Sequence, residues 1–311
     1  MQEIMTSKDI SINLIQFQHG QNKDGVQEGP EYLIRAGLCD KLSKLGLNVV
    51  SKNQLQCDYS CEKTKIELCS QMCQKISSTV HDQSKKKQFC LNIGGDHSIA
   101  TGTISGMLKT YPDLCVLWID AHTDLNRVDT SPSGSVHGMP VSFILNDHRE
   151  KALKAVPTEY QWCRGSLLQP SHLAYIGIRQ MDSGEIETVR DLNICTYDMV
   201  TIDRLGIHEC ITCALRKIDP TCSKPLHVSF DIDSIDPSFI PCTGTPVKGG
   251  LTMREILYIS ECVNNTGRLV SLDVVEFNPK MSNEIGLINL TAKNTMSVIK
   301  SFFGKKRPFF N

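Results

Sequence analysis

The sequence predicts an α/β protein built on a largely parallel β-sheet. Short runs of β-branched and apolar residues alternate along the chain with longer amphipathic stretches, which is the pattern of repeated strand–helix units. The short runs are apolar at successive positions, as expected of strands that helices cover on both faces. No repeat, low-complexity tract or linker interrupts this pattern, so residues 1–311 are interpreted as a single domain.

Eight strands are predicted in chain order. They are ISINLIQF from Ile10, LNVVS from Leu47, QFCLNIGG from Gln88, CVLWIDA from Cys115, LAYIGIR from Leu173, ICTYDMV from Ile194, LHVSFDID from Leu226 and LVSLDVVEF from Leu269. Clear helical segments between them begin near Thr64 and Thr252. Because right-handed crossovers bring the carboxyl ends of parallel strands to one edge, where ligands bind, we expect functional residues to follow these strands.

Composition argues against several classes of partner. Lys plus Arg (33) nearly balances Asp plus Glu (34), so no overall field favours nucleic acid or an anionic membrane. The start of the chain lacks signal-peptide features, and no apolar run approaches the roughly 18 residues that span a bilayer, so a soluble, cytoplasmic protein is predicted. Fourteen scattered cysteines then indicate reduced thiols, and the lone pair Cys210 and Cys213 lacks the second pair that a zinc site needs.

Histidines and carboxylates follow four of the predicted strands. Taken alone, each has a structural explanation, such as a hydrogen-bonded core histidine or a helix cap. Taken together, so many like charges cannot share one sheet edge without a counter-charge, and a metal supplies one economically. The residues are His97, Asp120, His122, Asp124, Asp231, Asp233 and Glu276.

This donor set predicts two metal ions. Two histidines and four aspartates exceed the needs of one ion but suit two divalent ions that share bridging carboxylates. The alternation at 120/122/124 and 231/233 is expected to point these side chains to one side of extended backbone. Hard oxygen donors with one imidazole per ion favour Mn²⁺ over Zn²⁺, Co²⁺ or Fe²⁺. Since a water between two such ions ionises near neutral pH, the pattern predicts a binuclear hydrolase.

The charge of the remaining polar residues indicates the charge of the substrate. A phosphatase, which must hold an anion, would need arginine or lysine around the metals. The additional residues here are acidic, Asp182 and Glu276. A cationic guanidinium or amine substrate is therefore favoured over a phosphate.

Several motifs in fixed order resemble those of the ureohydrolases and, as a set, those of an animal-type arginase. They are GGDHS, DAHTDLN, SGSVHGMP, SFDIDSIDP, TGTPVKGGL and DVVEFNP. The resemblance covers nearly the whole chain, including the early segment GVQEGPEYLIRAGL. It implies a three-layer α/β/α fold with about eight mostly parallel strands, two Mn²⁺ per subunit at the carboxyl edge, and hydrolysis of L-arginine to L-ornithine and urea.

The resemblance also implies a role for each matching residue. One ion would be bound by His97 and Asp124, the other by His122 and Asp233, and both by Asp120 and Asp231. A bridging hydroxide would attack the guanidinium carbon, and Asp124 would orient it and pass its proton to the leaving nitrogen. His137 would shuttle a proton, Glu276 would hold the guanidinium, and Thr245 would contact the site by hydrogen bonds.

The amino-acid end of the substrate separates the members of this family. Asn126 and Ser133 match positions that contact the α-carboxylate, and Asp182 matches the position that contacts the α-ammonium, which favours arginase over agmatinase. Two positions depart from the pattern: Ser135 stands where arginases usually carry Asn, and Gln180 replaces an Asp. Because serine is shorter and donates one hydrogen bond, the α-carboxylate is expected to be held more weakly there or through water.

Two alternatives to an arginase remain at the level of sequence. One is an agmatinase-type ureohydrolase acting on a related guanidino substrate. The other is a non-catalytic relative that binds arginine, which would be expected to lose metal ligands, whereas all six positions are filled here. A homotrimer is expected from the resemblance, although the tail FFGKKRPFFN is shorter than the segment that helps to assemble animal arginases.

Overall fold

A computed structural model describes residues 9–57 and 62–308 as eight parallel strands in one sheet. The order across the sheet is β2-β1-β3-β8-β7-β4-β5-β6, and every pairing between these strands is parallel. The strands are β1 (Asp9–Ile15), β2 (Asn48–Leu55), β3 (Phe89–Gly94), β4 (Cys115–Ile119), β5 (Leu173–Ile178), β6 (Cys195–Asp198), β7 (Leu226–Asp231) and β8 (Leu269–Val275). All eight predicted strands are confirmed.

Helices cover both faces of the sheet. Against one face pack α1 (Gly29–Arg35), α2 (Leu38–Ser43), α8 (Met199–Leu205), α9 (Ile207–Ile218), α10 (Met253–Asn265) and α11 (Ile285–Phe302). Against the other face lie α3 (Lys65–Lys85), α4 (Ala100–Thr110), α5 (Pro140–Ile144) and residues of α7 (Ser183–Asp191). The short α6 (Glu150–Ala155) follows α5 in the chain. The two apolar cores lie between these helices and the sheet, which confirms the three-layer α/β/α prediction.

The two helices that were clearest in the sequence start at capping boxes. Thr64 and Thr252 each accept a hydrogen bond from the backbone N–H of a glutamate three residues later, Glu67 or Glu255. The glutamate side chain in turn accepts from the backbone N–H of the threonine, so two otherwise unpaired donors are satisfied at each helix start. These local signals explain why α3 and α10 begin where they do.

One strand departs from the prediction that every strand is covered on both faces. Along β2, exposed and half-buried residues alternate until Leu55. The strand lies at the edge of the sheet and pairs only with β1, so part of its surface faces solvent.

Within the described residues, no helix combines the length and apolar character needed to cross a membrane. No disulfide bond joins the described cysteines. Cys210 and Cys213 lie on α9, where the thiol of Cys213 donates to Glu209, and the metal-ligand clusters found in the described chain include neither cysteine.

Candidate metal centre and adjoining cleft

Four neighbouring strands deliver the acidic and histidine residues to one edge of the sheet. The strands β3, β8, β7 and β4 are adjacent, and each ends at the carboxyl edge just before such a residue. His97 follows β3, Glu276 follows β8, Asp231 closes β7, and Asp120 follows β4. The sequence therefore predicted the convergence correctly from strand ends alone.

The backbone that carries these residues is not extended, so that part of the prediction is wrong. The strand β4 ends at Ile119, and Asp124 has a φ of 48°, in the left-handed region. Residues Ile232–Ser234 form one 3₁₀ turn. The side chains converge because tight turns fold the chain back over the strand ends, a conformation that aspartate tolerates better than most residues.

His97 lies at the centre of the first cluster. Its Nδ1 is 3.0 Å from Asp120 Oδ2, 3.1 Å from Asp124 Oδ2 and 3.2 Å from Asp231 Oδ2. The ring is buried and stacks on Trp118, and its Nε2 lies 2.8 Å from Ser229 Oγ. These contacts fix the ring with Nδ1 facing the carboxylates, as in a metal ligand oriented by its surroundings.

His122 forms a second cluster that shares one carboxylate with the first. Its Nδ1 is 3.2 Å from Asp233 Oδ2 and 3.4 Å from Asp120 Oδ1. Asp120 thus presents one oxygen to each histidine, which suits a bridging ligand. Asp231 reaches only the His97 side, since its other oxygen accepts a hydrogen bond from the backbone N–H of Asp233.

The chemistry of these donors fits a pair of cations. The ligand atoms of His97, Asp120 and Asp124 lie within 4.8 Å of one another, as do those of Asp120, His122 and Asp233. Although it is fully buried, His97 Nδ1 has no hydrogen-bond partner of good geometry in the described chain. An orphaned imidazole nitrogen facing several buried carboxylates is what a metal ligand requires.

The electrostatics of the site indicate the same need for positive charge. Burial and the neighbouring Asp120 raise the pKa of Asp124 to about 7, and burial and Asp233 raise the pKa of Asp231 well above its usual value. Burial opposes a charge on His122, yet Asp233 and Asp120 raise its pKa to about 12. In the described chain no lysine or arginine lies within salt-bridge distance of these carboxylates, so the two histidines are the charged groups that face them directly.

A cleft opens from the two histidine–aspartate clusters to solvent. It consists of an inner cavity of about 120 Å³ and an outer cavity of about 410 Å³. Both are lined by Ser133, His137, Gln180, Asp182 and Thr245. The predicted substrate-binding residues are therefore brought together, with Asn126 on the inner cavity and with Ser135 and Glu276 on the outer one.

Hydrogen bonds fix side chains that line the cleft. Thr245 Oγ1 donates to Asp233 Oδ2 (2.9 Å), and Asn126 Nδ2 donates to Asp182 Oδ2 (2.9 Å). The side-chain oxygen of Asn126 is buried without a partner in the described chain. These ties hold the side chains around the cleft in fixed positions.

His137 and Glu276 form a pair in the cleft. His137 Nδ1 lies 3.0 Å from Glu276 Oε1, which also accepts a hydrogen bond from the backbone N–H of His97 (2.9 Å). Burial would lower the pKa of His137, but Glu276 raises it to about 9. The carboxylate of Glu276 therefore favours the charged imidazole, which can donate a proton into the cleft.

The sequence analysis missed a carboxylate that joins two loops of the site. Glu185 accepts hydrogen bonds from Thr123 Oγ1 (2.7 Å), from the Leu125 backbone N–H (2.9 Å) and from the Asp182 backbone N–H (2.8 Å). It thereby ties the loop that carries Asp124 to the loop that carries Asp182. The capping-box spacing from Asp182 to Glu185 was the available signal.

A second missed carboxylate, Asp96, holds the loop after β1 beneath His137. It accepts from the Gly20 backbone N–H (2.8 Å), and the Gly20 carbonyl accepts from the His137 backbone N–H (3.0 Å). A side chain at Gly20 could not fit, because its Cβ would lie 2.5 Å from Asp96 Oδ1. No local pattern in the sequence indicates this contact between distant segments.

Comparisons with known proteins identify relatives along almost the whole chain. A family model described as the arginase family matches residues 8–304. The hepatic arginase of Aquarana catesbeiana is 39% identical over 98% of this chain and 96% of the relative, and arginase-1 of Bos taurus is 38% identical over 97% and 96%. Among solved structures, the arginase from Bacillus cereus gives a TM-score of 0.87 at 30% identity, covering 97% of this chain and 100% of that one. The Entamoeba histolytica arginase in complex with L-ornithine gives 0.84 at 31%, covering 96% and 99%.

Proposed function

This chain belongs to the arginase family, and on that premise we propose that it hydrolyses the guanidinium group of L-arginine to L-ornithine and urea. The observation that carries the proposal is the pair of histidine–carboxylate clusters that share Asp120 at the floor of an acidic cleft. A ureohydrolase needs such a floor because its cationic substrate must meet a nucleophile next to carboxylates that accept guanidinium hydrogen bonds.

The residues that would hold two divalent ions are the six predicted from the sequence. They are His97 and Asp124 for one ion, His122 and Asp233 for the other, and Asp120 between them. Asp231 faces His97, so the bridging role that the resemblance implies for it requires its second oxygen to exchange the Asp233 backbone N–H for the other ion. When bound, the ions would balance the buried carboxylates and ionise a water to a nucleophile near neutral pH. We propose Mn²⁺, since the donors are mostly hard oxygens with one imidazole for each ion.

The protein's own groups would position the guanidinium and move the protons. Glu276 lines the cleft and has a second oxygen left to accept N–H groups of the guanidinium. Asp124 lines the inner cavity, where its carboxylate can take a proton from the attacking water and transfer it to the departing nitrogen. His137, charged beside Glu276, can replace that proton from the solvent side of the cleft.

The amino-acid end of L-arginine would be held at the walls shared by the two cavities. Ser133 offers a hydroxyl to the α-carboxylate, and Asp182 offers a carboxylate to the α-ammonium. Asn126 is fixed against Asp182 by its amide and so contributes to the same subsite. An agmatinase-type activity is the less favoured alternative, because agmatine has no α-carboxylate for these groups to bind.

The decisive experiment is an assay of urea release from L-arginine, agmatine and guanidinobutyrate. After incubation with Mn²⁺ we expect release from L-arginine alone, loss of activity on chelation, and recovery when Mn²⁺ is restored. Preferential release from agmatine would favour the alternative ureohydrolase. Metal-independent release, or none from any substrate, would contradict the proposal.

A homotrimer and a cytoplasmic location remain predictions from the sequence. The trimer can be tested by light scattering on the purified protein, for which a mass of three chains is expected. Fractionation of cells that produce the protein tests the location, with the enzyme expected in the soluble cytoplasmic fraction.

A further inference from the structure

We propose that Lys23 is a specificity-determining residue whose ammonium group binds the α-carboxylate of the substrate. Lys23 lies on the loop between β1 and α1 and lines the outer cavity. The inference rests on the proposed function, because it concerns the amino-acid end of L-arginine.

The charges that line the cleft leave Lys23 as the natural partner of a carboxylate. Of the described side chains that line the two cavities, it is the only lysine or arginine. The acidic groups of the outer cavity, Asp182 and Glu276, would attract the two cationic groups of L-arginine but repel its α-carboxylate. A carboxylate in this cleft is therefore stabilised most by the charge of Lys23.

The ammonium group of Lys23 has donors to spare. Its Nζ donates to the carbonyl oxygen of Gly244, and within the described chain no carboxylate lies within salt-bridge distance of it. An ammonium has three N–H donors, so two are left for a ligand. Lys23 is exposed at the mouth of the cleft, so its side chain can adjust to a substrate without losing buried packing.

Lys23 and Glu276 both lie close to Gly244. A Cβ built on Gly244 would lie 3.6 Å from Glu276 Oε2 and 3.9 Å from Lys23 Cδ. The lysine stem and the glutamate carboxylate thus lie beside the same glycine. A ligand in the outer cavity can therefore meet both the ammonium of Lys23 and the carboxylate of Glu276.

The identity of residue 135 supports a role for Lys23 in binding the α-carboxylate. Ser135 stands where the resemblance places a carboxylate-binding Asn, and it lines the outer cavity together with Lys23. A hydroxyl supplies a shorter, single, neutral donor, whereas hydrogen bonds from a charged donor are stronger. We therefore assign to Lys23 part of the contact that the shorter Ser135 side chain gives up.

The test compares Lys23→Met with Lys23→Arg and with the control Lys248→Met. Lys248 is exposed on the loop that follows Gly244 and does not line either cavity. Its replacement by Met therefore makes the same change in net charge at a position outside the cleft. For Lys23→Met we expect the KM for L-arginine to rise about tenfold, because one charged hydrogen bond to the substrate is lost. The kcat should change less than about twofold. Lys23→Arg should restore most of the affinity, and Lys248→Met should match wild type.

Competitive inhibition by L-ornithine and putrescine measures the contribution of the α-carboxylate to binding, because both ligands carry two amines and only L-ornithine carries the carboxylate. Lys23→Met should weaken inhibition by L-ornithine about tenfold and leave putrescine unchanged or bound more tightly. If Lys23 acted only by repelling cations through its positive charge, its removal would strengthen the binding of both L-ornithine and putrescine and lower the KM for L-arginine. Either that result or an unchanged ratio of the inhibition constants for L-ornithine and putrescine overturns the inference, provided that the wild-type protein is active. An inactive wild-type protein overturns the proposed function itself.

Discussion

The two edges of the same sheet treat buried carboxylates in opposite ways. At the amino edge, before β7 and β8, Asp219 forms a buried salt bridge with Arg268. The same carboxylate accepts from the backbone N–H groups of Thr221 (3.1 Å), Ser223 (2.7 Å) and Lys224 (2.8 Å). At the carboxyl edge, the four aspartates around His97 and His122 have no such cation within the described chain.

The difference separates a polar group that serves the fold from a group that serves a ligand. Burial alone would raise the pKa of Asp219, but hydrogen bonds from Thr221 and its neighbours, together with Arg268, hold the pKa below its usual value. Burial and like charge instead raise the pKa of Asp231. The charge of Asp219 is thus satisfied by the fold itself, whereas the charge of Asp231 is left to be stabilised by a ligand, as expected of a functional site.

The substitution Asp124→Asn gives the largest effect expected at the carboxyl edge. Turnover of L-arginine should fall by about 10³-fold or more, since a metal ligand and proton acceptor are lost together. Metal-free variant and metal-free wild type should nevertheless unfold at similar temperatures, or the variant higher, because one repelling carboxylate is gone. Steady-state kinetics and thermal unfolding in chelator measure the two quantities.

The matched control is Asp129→Asn, an exposed carboxylate on the same loop that pairs with Arg127. This substitution should change neither the turnover of L-arginine nor the unfolding temperature in chelator appreciably. Near-normal turnover in Asp124→Asn would contradict the assignment of this edge as the reactive centre.

The substitution Asp219→Ala should have the converse effect at the amino edge. Breaking the buried pair should lower the free energy of unfolding by about 3–5 kcal/mol, while kcat of the folded fraction stays unchanged. Because the folded-state pKa of Asp219 is lowered, its contribution is complete above the usual carboxyl pKa and lost as pH falls through the folded value. The gap between wild type and variant should therefore narrow on acidification.

Urea denaturation at several pH values measures this gap, with the exposed Asp113→Ala as the control. A surface change of that kind should cost less than about 0.5 kcal/mol. If Asp219→Ala left stability intact but removed activity, the contrast between the edges would be wrong.

The substitution Gly20→Ala sharpens the comparison by disturbing the carboxyl edge without touching a metal ligand. The added Cβ would clash with Asp96 Oδ1 and with Ser98 Cβ, at 2.5 and 2.8 Å, so the loop that supports His137 must shift. We expect kcat to fall about 10–100-fold, since small misplacements of reacting groups are costly, while bound metal stays at the wild-type level.

Gly165→Ala is the control, because a Cβ there would meet no atom within 4 Å. It should leave kcat unchanged. Loss of metal together with activity in Gly20→Ala would show that the loop supports the metal cluster rather than His137.

The substitution Ser135→Asn has the smallest expected effect. A longer side chain with two amide donors should lower the KM for L-arginine by a factor of about 3, within the contribution of one hydrogen bond, with kcat unchanged. The inhibition constant of putrescine, which lacks the carboxylate, provides the control and should not change. An unchanged KM would count against a carboxylate role for this position.

The parts of the fold that the sequence predicted are those with a strong local signal. Runs such as CVLWI and LVSLDVV are apolar throughout because both of their faces are covered, and the acids follow directly at the strand ends. The edge strand β2 was less accurately described, since its amphipathic pattern depends on having one neighbour. The adjacency of β3, β8, β7 and β4 is set by long-range packing that no local run reveals.

The parts of the site that escaped prediction depend on contacts between distant segments. The positive φ of Asp124 and Glu276 was unexpected because the strand pattern suggested extended backbone up to the ligands. The links from Asp96 to Gly20, and from Lys23 to Gly244, join residues far apart in the chain and leave no spacing to recognise. Residue type therefore pointed to the candidate metal donors, whereas the structure was needed to find what positions them.

The central claim, that the carboxyl edge is a site for two cations, is tested most directly by counting bound metal. Chelated protein is dialysed against Mn²⁺ and the bound ions per chain are measured for wild type and for Asp120→Asn, which removes the carboxylate that faces both histidines. Two ions for wild type and fewer for the variant are predicted. Equal loading of both proteins, or no bound metal in wild type, would contradict the account.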